Sequence, residues 1–277
     1  NALVDMLNRG IHPFIPEKGS VGASGDLAPL AHMALILMGE GKVSFNGKRT
    51  NAENALRHAG LNTHILQAKE GLALINGTSV MTAVGALAVY DAENLLMHAE
   101  IAAAISLEAL KGTDKAFDKK VIAARPHQGQ IEIADNLRKL LAKSEIIESH
   151  RNCEKVQDAY TLRCIPQVLG ACKDALGFAK GIVEVELNSA TDNPLIFKTE
   201  ILSSGNFHGE HIAFAMDLLG IGTAEIGNFA ERRIARMLDK RLSNLPAFLT
   251  KQSGLNSGFM AAQYVAAALA SENKILA

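Results

Sequence analysis

Apolar residues recur at helical spacing over most of the chain and predict a mainly α protein. The longest apolar stretch covers residues 78–111, where we predict one long, largely buried helix. Two more long helices are predicted over residues 161–187 and 208–241, with proline-containing breaks at 192–194 and 245–246. Long apolar helices with little strand are typical of a long-helix bundle.

The polar positions predict shorter elements and one hairpin. Asn46-Gly47 lies within alternating residues, which is a strong hairpin signal, so a small β-hairpin is expected near 42–50. A capping-box pattern at 50–53 opens a helix that Gly60 ends. Further helices are predicted over residues 26–39 and 130–143, and from about 257 onward.

Composition and charge narrow the possible partners. Hydrophobic residues make up 48% of the chain and charged residues 21%, which fits a globular protein, and a net charge of −1 argues against a nucleic-acid partner. No charge-free apolar run of membrane-spanning length is recognised, so we expect no membrane partner. The cysteines Cys153, Cys164 and Cys172 form no Cys-x-x-Cys pair. We therefore expect neither disulfides nor zinc, and we predict a cytoplasmic location.

The chain has the features of one piece of a larger assembly. No repeat or low-complexity linker divides it, so we predict one helical domain over residues 1–277. Several helices are apolar on more than one side, and a homo-oligomer would cover them. The sequence opens at Asn1 without an initiator methionine and stops at Ala277 within a helix-like stretch. We expect truncation at both ends and a central position in a longer protein.

The tripeptide Ala23-Ser24-Gly25 permits backbone chemistry that ordinary loops cannot perform. Gly25 lacks a Cβ, so its amide nitrogen can approach the carbonyl carbon of Ala23. Attack by that nitrogen would close a five-membered ring around Ser24. Loss of water, including the Ser24 hydroxyl, would leave an exposed methylidene, which is an electrophile made from the chain itself.

Other interpretations of this stretch are possible. Gly19, Gly22 and Gly25 recur every third residue, but a phosphate loop ends in Gly-Lys-Ser/Thr and a dinucleotide fingerprint follows a strand, and residues 13–16 provide neither. A serine nucleophile is disfavoured because no Gly-x-Ser-x-Gly elbow surrounds Ser24. A flexible turn that caps a helix remains an equal alternative on this stretch alone.

Residues 19–32 resemble the signature of the aromatic amino acid ammonia-lyases, and most closely that of the histidine ammonia-lyases. Further blocks resemble the family in the same order: LINGT at 74–78, NCEKVQDAYTLRC at 152–164, LNSATDNP at 187–194, SGNFHGE at 204–210, ERR at 231–233 and NSGFM at 256–260. The resemblance implies the family's helical fold and a homotetramer. It also implies an electrophilic 4-methylidene-imidazol-5-one formed from Ala23, Ser24 and Gly25, with no metal and no diffusible cofactor.

The resemblance assigns the first catalytic residues. Eliminating ammonia needs an electrophile that captures the amine and a positioned base. Ala23, Ser24 and Gly25 provide the electrophile, and Asp26 assists its formation; the alternative for Asp26 is a plain helix cap. Asn76 is placed beside the ring and the substrate, at the start of the longest helix, where the alternative is an N-cap asparagine.

Further site residues lie in the later blocks. Tyr160 and Arg163 are three apart and share a helical face; the resemblance gives Arg163 the substrate carboxylate, and Tyr160 is a candidate proton-transfer group. Gln157, one turn earlier, can orient both, and Ala159 stands where the family usually has proline. Phe207 packs near the ring by resemblance. Without the family, Arg163 indicates a surface ion pair and Phe207 a core position.

Two charged clusters have simpler interpretations. His208, Glu210 and His211 could suggest a zinc site. We expect none, because the histidines at 32, 150, 208 and 211 form no metal pair with supporting carboxylates. The 231–233 block is most simply a charged helix face.

The substrate implied by the resemblance is L-histidine, which would give trans-urocanate and ammonia in histidine catabolism. The details that favour histidine are residues 29–32 and 158–164. The alternatives are a phenylalanine or tyrosine ammonia-lyase, an aminomutase with the same electrophile, or a helical assembly core without activity. The family also has a catalytic tyrosine before the corresponding region and a glutamate after it. We therefore predict weak or no turnover by these 277 residues alone.

Overall fold

The computed structural model describes residues 1–153 and 155–277. Glu154, part of the 152–164 block, lies outside the described residues. The helices of the described chain are α1 (Ala2–Asn8), α2 (Leu27–Leu37), α3 (Ala52–Ala59), α4 (Glu70–Ile75), α5 (Ser79–Ala109), α6 (Lys119–Ala123), α7 (Gln128–Leu140), α8 (Glu145–Ser149), α9 (Tyr160–Arg163), α10 (Ile165–Glu186), α11 (Glu210–Leu238), α12 (Lys240–Ser243) and α13 (Met260–Leu276). The strands are β1 (His12–Pro13), β2 (Lys42–Phe45), β3 (Lys48–Asn51), β4 (Leu195–Phe197) and β5 (Glu200–Leu202). The mainly α prediction is confirmed.

The predicted hairpin near 42–50 is confirmed as β2 and β3. Phe45 pairs with Lys48 across Asn46 and Gly47, whose φ angles are 51° and 72°. Two positive φ angles define the turn type that suits a two-residue hairpin loop, and Asn-Gly adopts it at low cost. β1 extends this sheet in the order β1-β2-β3. The antiparallel pair β4–β5 was not predicted, because its turn at 198–199 contains neither glycine nor asparagine.

Helix α3 ends as predicted but begins one residue later than its capping box implied. Gly60 is the C-cap, with φ 71° in the left-handed region that glycine adopts freely. The N-cap is Asn51, and its side chain makes no capping hydrogen bond. Thr50 cannot serve as the cap because it pairs with Val43 in the hairpin.

The predicted helix over 161–187 is two helices, with Cys164 between α9 and α10. Pro166 is the second residue of α10, where a missing N–H is tolerated because first-turn N–H groups have no partner within the helix. The proline therefore marks a new helix start that the apolar periodicity concealed.

Helix α5 agrees with the predicted extent, but the expectation that it is largely buried is wrong. Val84, Leu87 and Tyr90 are 62%, 68% and 64% exposed. The helix is apolar on more than one side, and this chain alone covers only part of its surface.

The chain forms two compact units, and the first comprises residues 1–87 and 181–214. Its core is a cluster from α1, α2, β2 and α3, with Ile11 between α1 and β1: Met6, Ile11, Ile36, Leu37, Val43, Ala52, Ala55 and Leu56. Both of the short antiparallel sheets belong to this unit.

The second unit comprises residues 88–180 and 215–277 and is helical. Its α7 and α10 approach closely where both have glycine, since a Cβ on Gly129 would lie 2.2 Å from the carbonyl oxygen of Gly170. Gly129 N donates to Asp174 Oδ1 (2.8 Å), so a carboxylate of α10 satisfies an N–H at the start of α7. The single domain predicted over 1–277 stays a prediction.

Two segments of the described chain are long and apolar enough to cross a membrane by length and composition. They are Glu70–Ala109, with mean hydropathy 1.7, and Glu210–Leu238, with mean hydropathy 1.2. Residues 71–90 carry no charged side chain, so the prediction that the chain has no charge-free apolar run of membrane-spanning length is wrong. Core helices of water-soluble proteins have the same length and composition, so this finding alone assigns no membrane.

Candidate active site

The Ala-Ser-Gly loop lies in the first unit, immediately before α2. Gly22–Ser24 form one turn of 3-10 helix, and Gly25 N donates to Gly22 O (2.9 Å). Gly25 has φ 113°, a conformation that a residue with a Cβ rarely adopts. Ser24 is exposed while Gly25 is buried. The turn therefore presents the Ser24 side chain outward and requires glycine at the position whose nitrogen would close the ring.

The Ala23 carbonyl is held by a backbone contact from a distant part of the unit. Gly209 N, immediately before α11, donates to Ala23 O (2.9 Å). A donor on this oxygen withdraws electrons from the carbonyl carbon, and the positive end of the helix dipole reinforces the effect. The carbon that Gly25 N would attack is therefore polarised, so the residues present fit a self-formed methylidene-imidazolone.

Asp26 is fully buried, and its carboxylate accepts hydrogen bonds from two other segments. Ser20 Oγ donates to Oδ1 (2.6 Å), and Met81 N donates to Oδ2 (2.7 Å). Although Asp26 precedes α2, its side chain makes no capping bond there. It satisfies an N–H in the first turn of α5 instead, which offsets the cost of burying the carboxylate.

We expected Asn76 at the start of the longest helix, but it lies at the end of α4. Its N donates to Leu72 O (2.9 Å), and α5 begins only at Ser79. Its side-chain Nδ2 lies 3.2 Å from Asp192 Oδ1 and 3.3 Å from Asn193 O. The side chain therefore bridges to the 191–194 segment and caps neither helix.

The sequence predicts a helix break at Asp192 and places this residue in the family-like block at 187–194, but it predicts no role for Lys69. Lys69 Nζ donates to Asp192 Oδ2, and Asn193 N donates to Oδ1 (2.7 Å). Partial burial works to raise the pKa of Asp192, but the hydrogen bonds from Lys69, Asn193 N and Asn76, with the Lys69 charge, lower it below its ordinary value. The carboxylate is thus held ionised beside Asn76. The sequence signal that could have pointed to Asp192 is that it is the acidic residue of the family-like block at 187–194.

Phe207 is half-buried in the turn before α11. The segment that carries it is tied down on both sides, because Ser204 N donates to Asn193 Oδ1 (2.7 Å) and Gly209 N donates to Ala23 O. The first unit therefore links the Ala-Ser-Gly loop, Asn76 and the Phe207 segment through hydrogen bonds.

Gln157, Tyr160 and Arg163 lie in the second unit. Tyr160 and Arg163 share a face of α9 as predicted, with the Arg163 Cζ 4.6 Å from the Tyr160 ring centroid. Arg163 Nε is buried without a hydrogen-bond partner, so the guanidinium keeps donor capacity. Gln157 lies in irregular, exposed backbone before α9, so it does not occupy the preceding helical turn.

The 231–233 block is not simply a charged face. Glu231 and Arg233 are buried, and Gln263 Nε2 of α13 donates to Glu231 Oε1 (3.1 Å). Burial lowers the pKa of the Arg233 guanidinium to about 10. Only Arg232 has a mostly exposed side chain, and it pairs with Glu231. The contact with α13 thus involves Glu231, while Arg233 packs over the ring of Phe229 on its own helix, with its Cζ 5.2 Å from the ring centroid.

No group of three or more His, Cys, Asp or Glu side chains with metal-binding geometry occurs among the described residues. His208 Nδ1 and Glu210 Oε2 lie 4.0 Å apart, a distance of weak charge contact rather than shared ligation.

Comparisons with known proteins place this geometry in a family. The family model described as aromatic amino acid lyase matches residues 1–277. A histidine ammonia-lyase from Alkaliphilus oremlandii is 57% identical over 279 residues, which cover 100% of this chain and 55% of that protein. The chain thus spans about half the length of the curated relatives it matches.

Solved structures show the same fold. The crystal structure of histidine ammonia-lyase from Trypanosoma cruzi has a TM-score of 0.89 and 46% identity, and the match covers 98% of this chain and 51% of that one. The crystal structure of tyrosine aminomutase from Streptomyces globisporus has a TM-score of 0.89 and 42% identity, covering 99% of this chain and 56% of that one.

Proposed function

Because the chain belongs to the aromatic amino acid lyase family, we propose that the whole protein is an ammonia-lyase that converts L-histidine to trans-urocanate and ammonia. The observation that carries the proposal is the Ala-Ser-Gly turn, whose Gly25 has a glycine-specific φ and whose Ala23 carbonyl accepts from Gly209 N. The histidine ammonia-lyases at 57% and 46% identity support the substrate. We also propose a homotetramer, as the family resemblance implies, and the exposed apolar helix faces of this chain support self-association. A cytoplasmic location is proposed from the cysteine pattern.

The electrophile forms from the chain's own atoms. A bond from Gly25 N to the Ala23 carbonyl carbon closes a five-membered ring. The Ala23 oxygen leaves as water with the amide hydrogens of Gly25 and Ser24, which leaves a double bond between Ala23 C and Ser24 N. The Ser24 hydroxyl and the Ser24 Cα hydrogen leave as a second water, which creates the methylidene. Gly209 N stabilises negative charge on the Ala23 oxygen during the first step. The buried Asp26 holds the loop against the first turn of α5.

The remaining residues bind and orient the amino acid. When formed, the prosthetic group supplies an electrophilic carbon that makes the amine a better leaving group. Arg163 binds the substrate carboxylate through the planar, bidentate donor geometry of its guanidinium. Tyr160 moves the β-proton, which requires activation by the site because a phenol ordinarily has a pKa near 10. Phe207 packs against the ring.

A tyrosine- or phenylalanine-specific lyase or aminomutase is the second candidate, favoured by the tyrosine aminomutase with 42% identity. The same electrophile would serve both classes. They differ in the side chain that the site accepts and in whether the amine is released or returned to the product.

The test is an intact-mass measurement of the full-length protein with peptide mapping across residues 19–29. We expect a deficit of two water molecules in that peptide and urocanate formation from L-histidine much faster than turnover of phenylalanine or tyrosine. Ser24→Ala should show neither the deficit nor the activity. Wild-type protein without the deficit would contradict the electrophile, while preferred turnover of phenylalanine or tyrosine would contradict only the substrate.

A further inference from the structure

We propose that Lys69 and Asp192 form a positioning pair that fixes the side-chain amide of Asn76, so that its oxygen faces the amine of the substrate. The inference rests on the proposed function and on the place that the family resemblance implies for Asn76, beside the ring and the substrate. Neither Lys69 nor Asp192 is placed against the reacting atoms. They act through Asn76.

The orientation of the Asn76 amide follows from its neighbours. Asp192 Oδ1 (3.2 Å) and Asn193 O (3.3 Å) are both acceptors, so the amide can meet them only with Nδ2 and its two hydrogens. The opposite orientation would place Asn76 Oδ1 against a carboxylate and a carbonyl. Within the described residues Asn76 Oδ1 accepts no hydrogen bond. The group that Asn76 offers to a ligand is therefore an acceptor, and its natural counterpart on an amino acid is the ammonium group.

The Asp192 carboxylate is itself held in place. Lys69 Nζ donates to Oδ2, while Asn193 N and Asn76 Nδ2 share Oδ1. The side chains of Lys69 and Asp192 are only 23% and 16% exposed, so their attraction is screened less than that of a surface pair. Lys69 has φ 71°, a conformation that costs free energy for a residue with a long side chain, and the ion pair offsets that cost.

The negative charge of Asp192 is essential to this arrangement, because all three of its neighbours are donors. An asparagine at 192 has one acceptor atom and one donor atom. Beside Lys69 its oxygen would turn toward the ammonium, and its NH2 would then face Asn76 Nδ2 and Asn193 N. That arrangement would displace or reverse the Asn76 amide. If residue 69 were neutral, the asparagine oxygen could remain on Asn76.

This asymmetry gives a test on the full-length protein in which a second substitution rescues the first. We expect Asp192→Asn to lower kcat/KM for L-histidine about 10- to 100-fold, the effect of losing a charge-assisted hydrogen bond. Lys69→Met alone should cost less than about tenfold, since Asp192 still accepts from Asn76. The double variant should recover about fivefold or more relative to Asp192→Asn. The two-water mass deficit should be unchanged in all three variants.

A binding measurement separates positioning from turnover. In the Ser24→Ala background, which makes no electrophile, titration calorimetry measures the Kd of L-histidine and of trans-urocanate, which lacks the amine. Asp192→Asn should weaken L-histidine binding about tenfold and leave urocanate binding within about twofold.

The matched control breaks an ion pair far from these residues in sequence. Glu132→Gln and Glu132→Gln/Lys173→Met remove the Lys173–Glu132 pair (3.2 Å) of the second unit and should leave kcat/KM unchanged.

The outcomes distinguish this inference from the function on which it rests. A wild-type protein that makes no urocanate refutes the function. If the wild type is active, any of three results refutes the positioning pair. These are a double variant no better than Asp192→Asn, equal weakening of urocanate and histidine binding by Asp192→Asn, and loss of the mass deficit in Asp192→Asn. In the last case the pair would serve formation of the electrophile instead.

Discussion

Asp26 shows how much a single buried side chain can connect. Its carboxylate joins the turn at Ser20 to the first turn of α5 through two short hydrogen bonds. Two roles remain for it, a structural link that holds the loop against the first turn of α5 and a charge that assists ring closure. They differ in whether the negative charge itself is needed.

Asp26→Asn should separate these roles. The asparagine oxygen can accept from Met81 N, and its NH2 can donate to Ser20 Oγ, so we expect little loss of stability. Asp26→Ala leaves both groups unpaired and should cost about 1–3 kcal/mol of the free energy of unfolding. If the charge assists ring closure, Asp26→Asn folds but shows a reduced two-water deficit by intact mass. A normal deficit in this variant would leave Asp26 with the structural link to α5 as its only role.

At the scale of elements, the connection between α4 and α5 depends on a glycine. Gly77 has φ 139°, and a Cβ there would lie 2.2 Å from the carbonyl oxygen of Thr191. Only glycine lets the backbone after Asn76 approach the 191–194 segment this closely. The approach also brings Asn76 within reach of Asp192.

Gly77→Ala is therefore expected to destabilise the full-length protein by more than about 1 kcal/mol and to lower kcat/KM for L-histidine. The control is Gly177→Ala in α10, where an added Cβ would meet no atom within 4 Å and helix propensity favours alanine. Urea unfolding and steady-state kinetics measure both effects. Equal stability for the two variants would argue against the close approach.

The element boundaries were predictable where the deciding contacts are local. Asn46-Gly47 and Gly60 act through their own φ angles, so the hairpin and the end of α3 were predicted correctly. The start of α3 was not, because Thr50 is engaged by Val43 across the hairpin. The β4–β5 pair lacks a glycine or asparagine turn and was missed for that reason.

For the whole molecule, the exposed apolar surface is the main unexplained feature. On α13, Tyr264, Val265 and Leu269 are 61%, 58% and 54% exposed. Monomeric proteins rarely leave contiguous apolar patches uncovered, which supports the proposed homo-oligomer.

We predict that Leu269→Glu weakens self-association of the full-length protein at micromolar concentration, because a buried charge at an interface is costly. Sedimentation velocity should show a shift from a tetramer toward smaller species. Glu272→Gln on the same helix, at an exposed polar position, should sediment like the wild type. An unchanged tetramer in Leu269→Glu would mean that this face is covered by other means.

The sequence by itself determined the helical class, the hairpin, and the Ala23-Ser24-Gly25 tripeptide on which the proposed cyclisation depends. These depend on apolar periodicity and on glycine conformation, which act over a few residues. Only the tertiary structure decided that Asp26 bonds Met81 and that Gly209 polarises Ala23. The same holds for the Lys69–Asp192 pair that orients Asn76. Asn76 and Asp192 are 116 positions apart, and no local preference encodes a hydrogen bond formed after folding has brought such distant segments together.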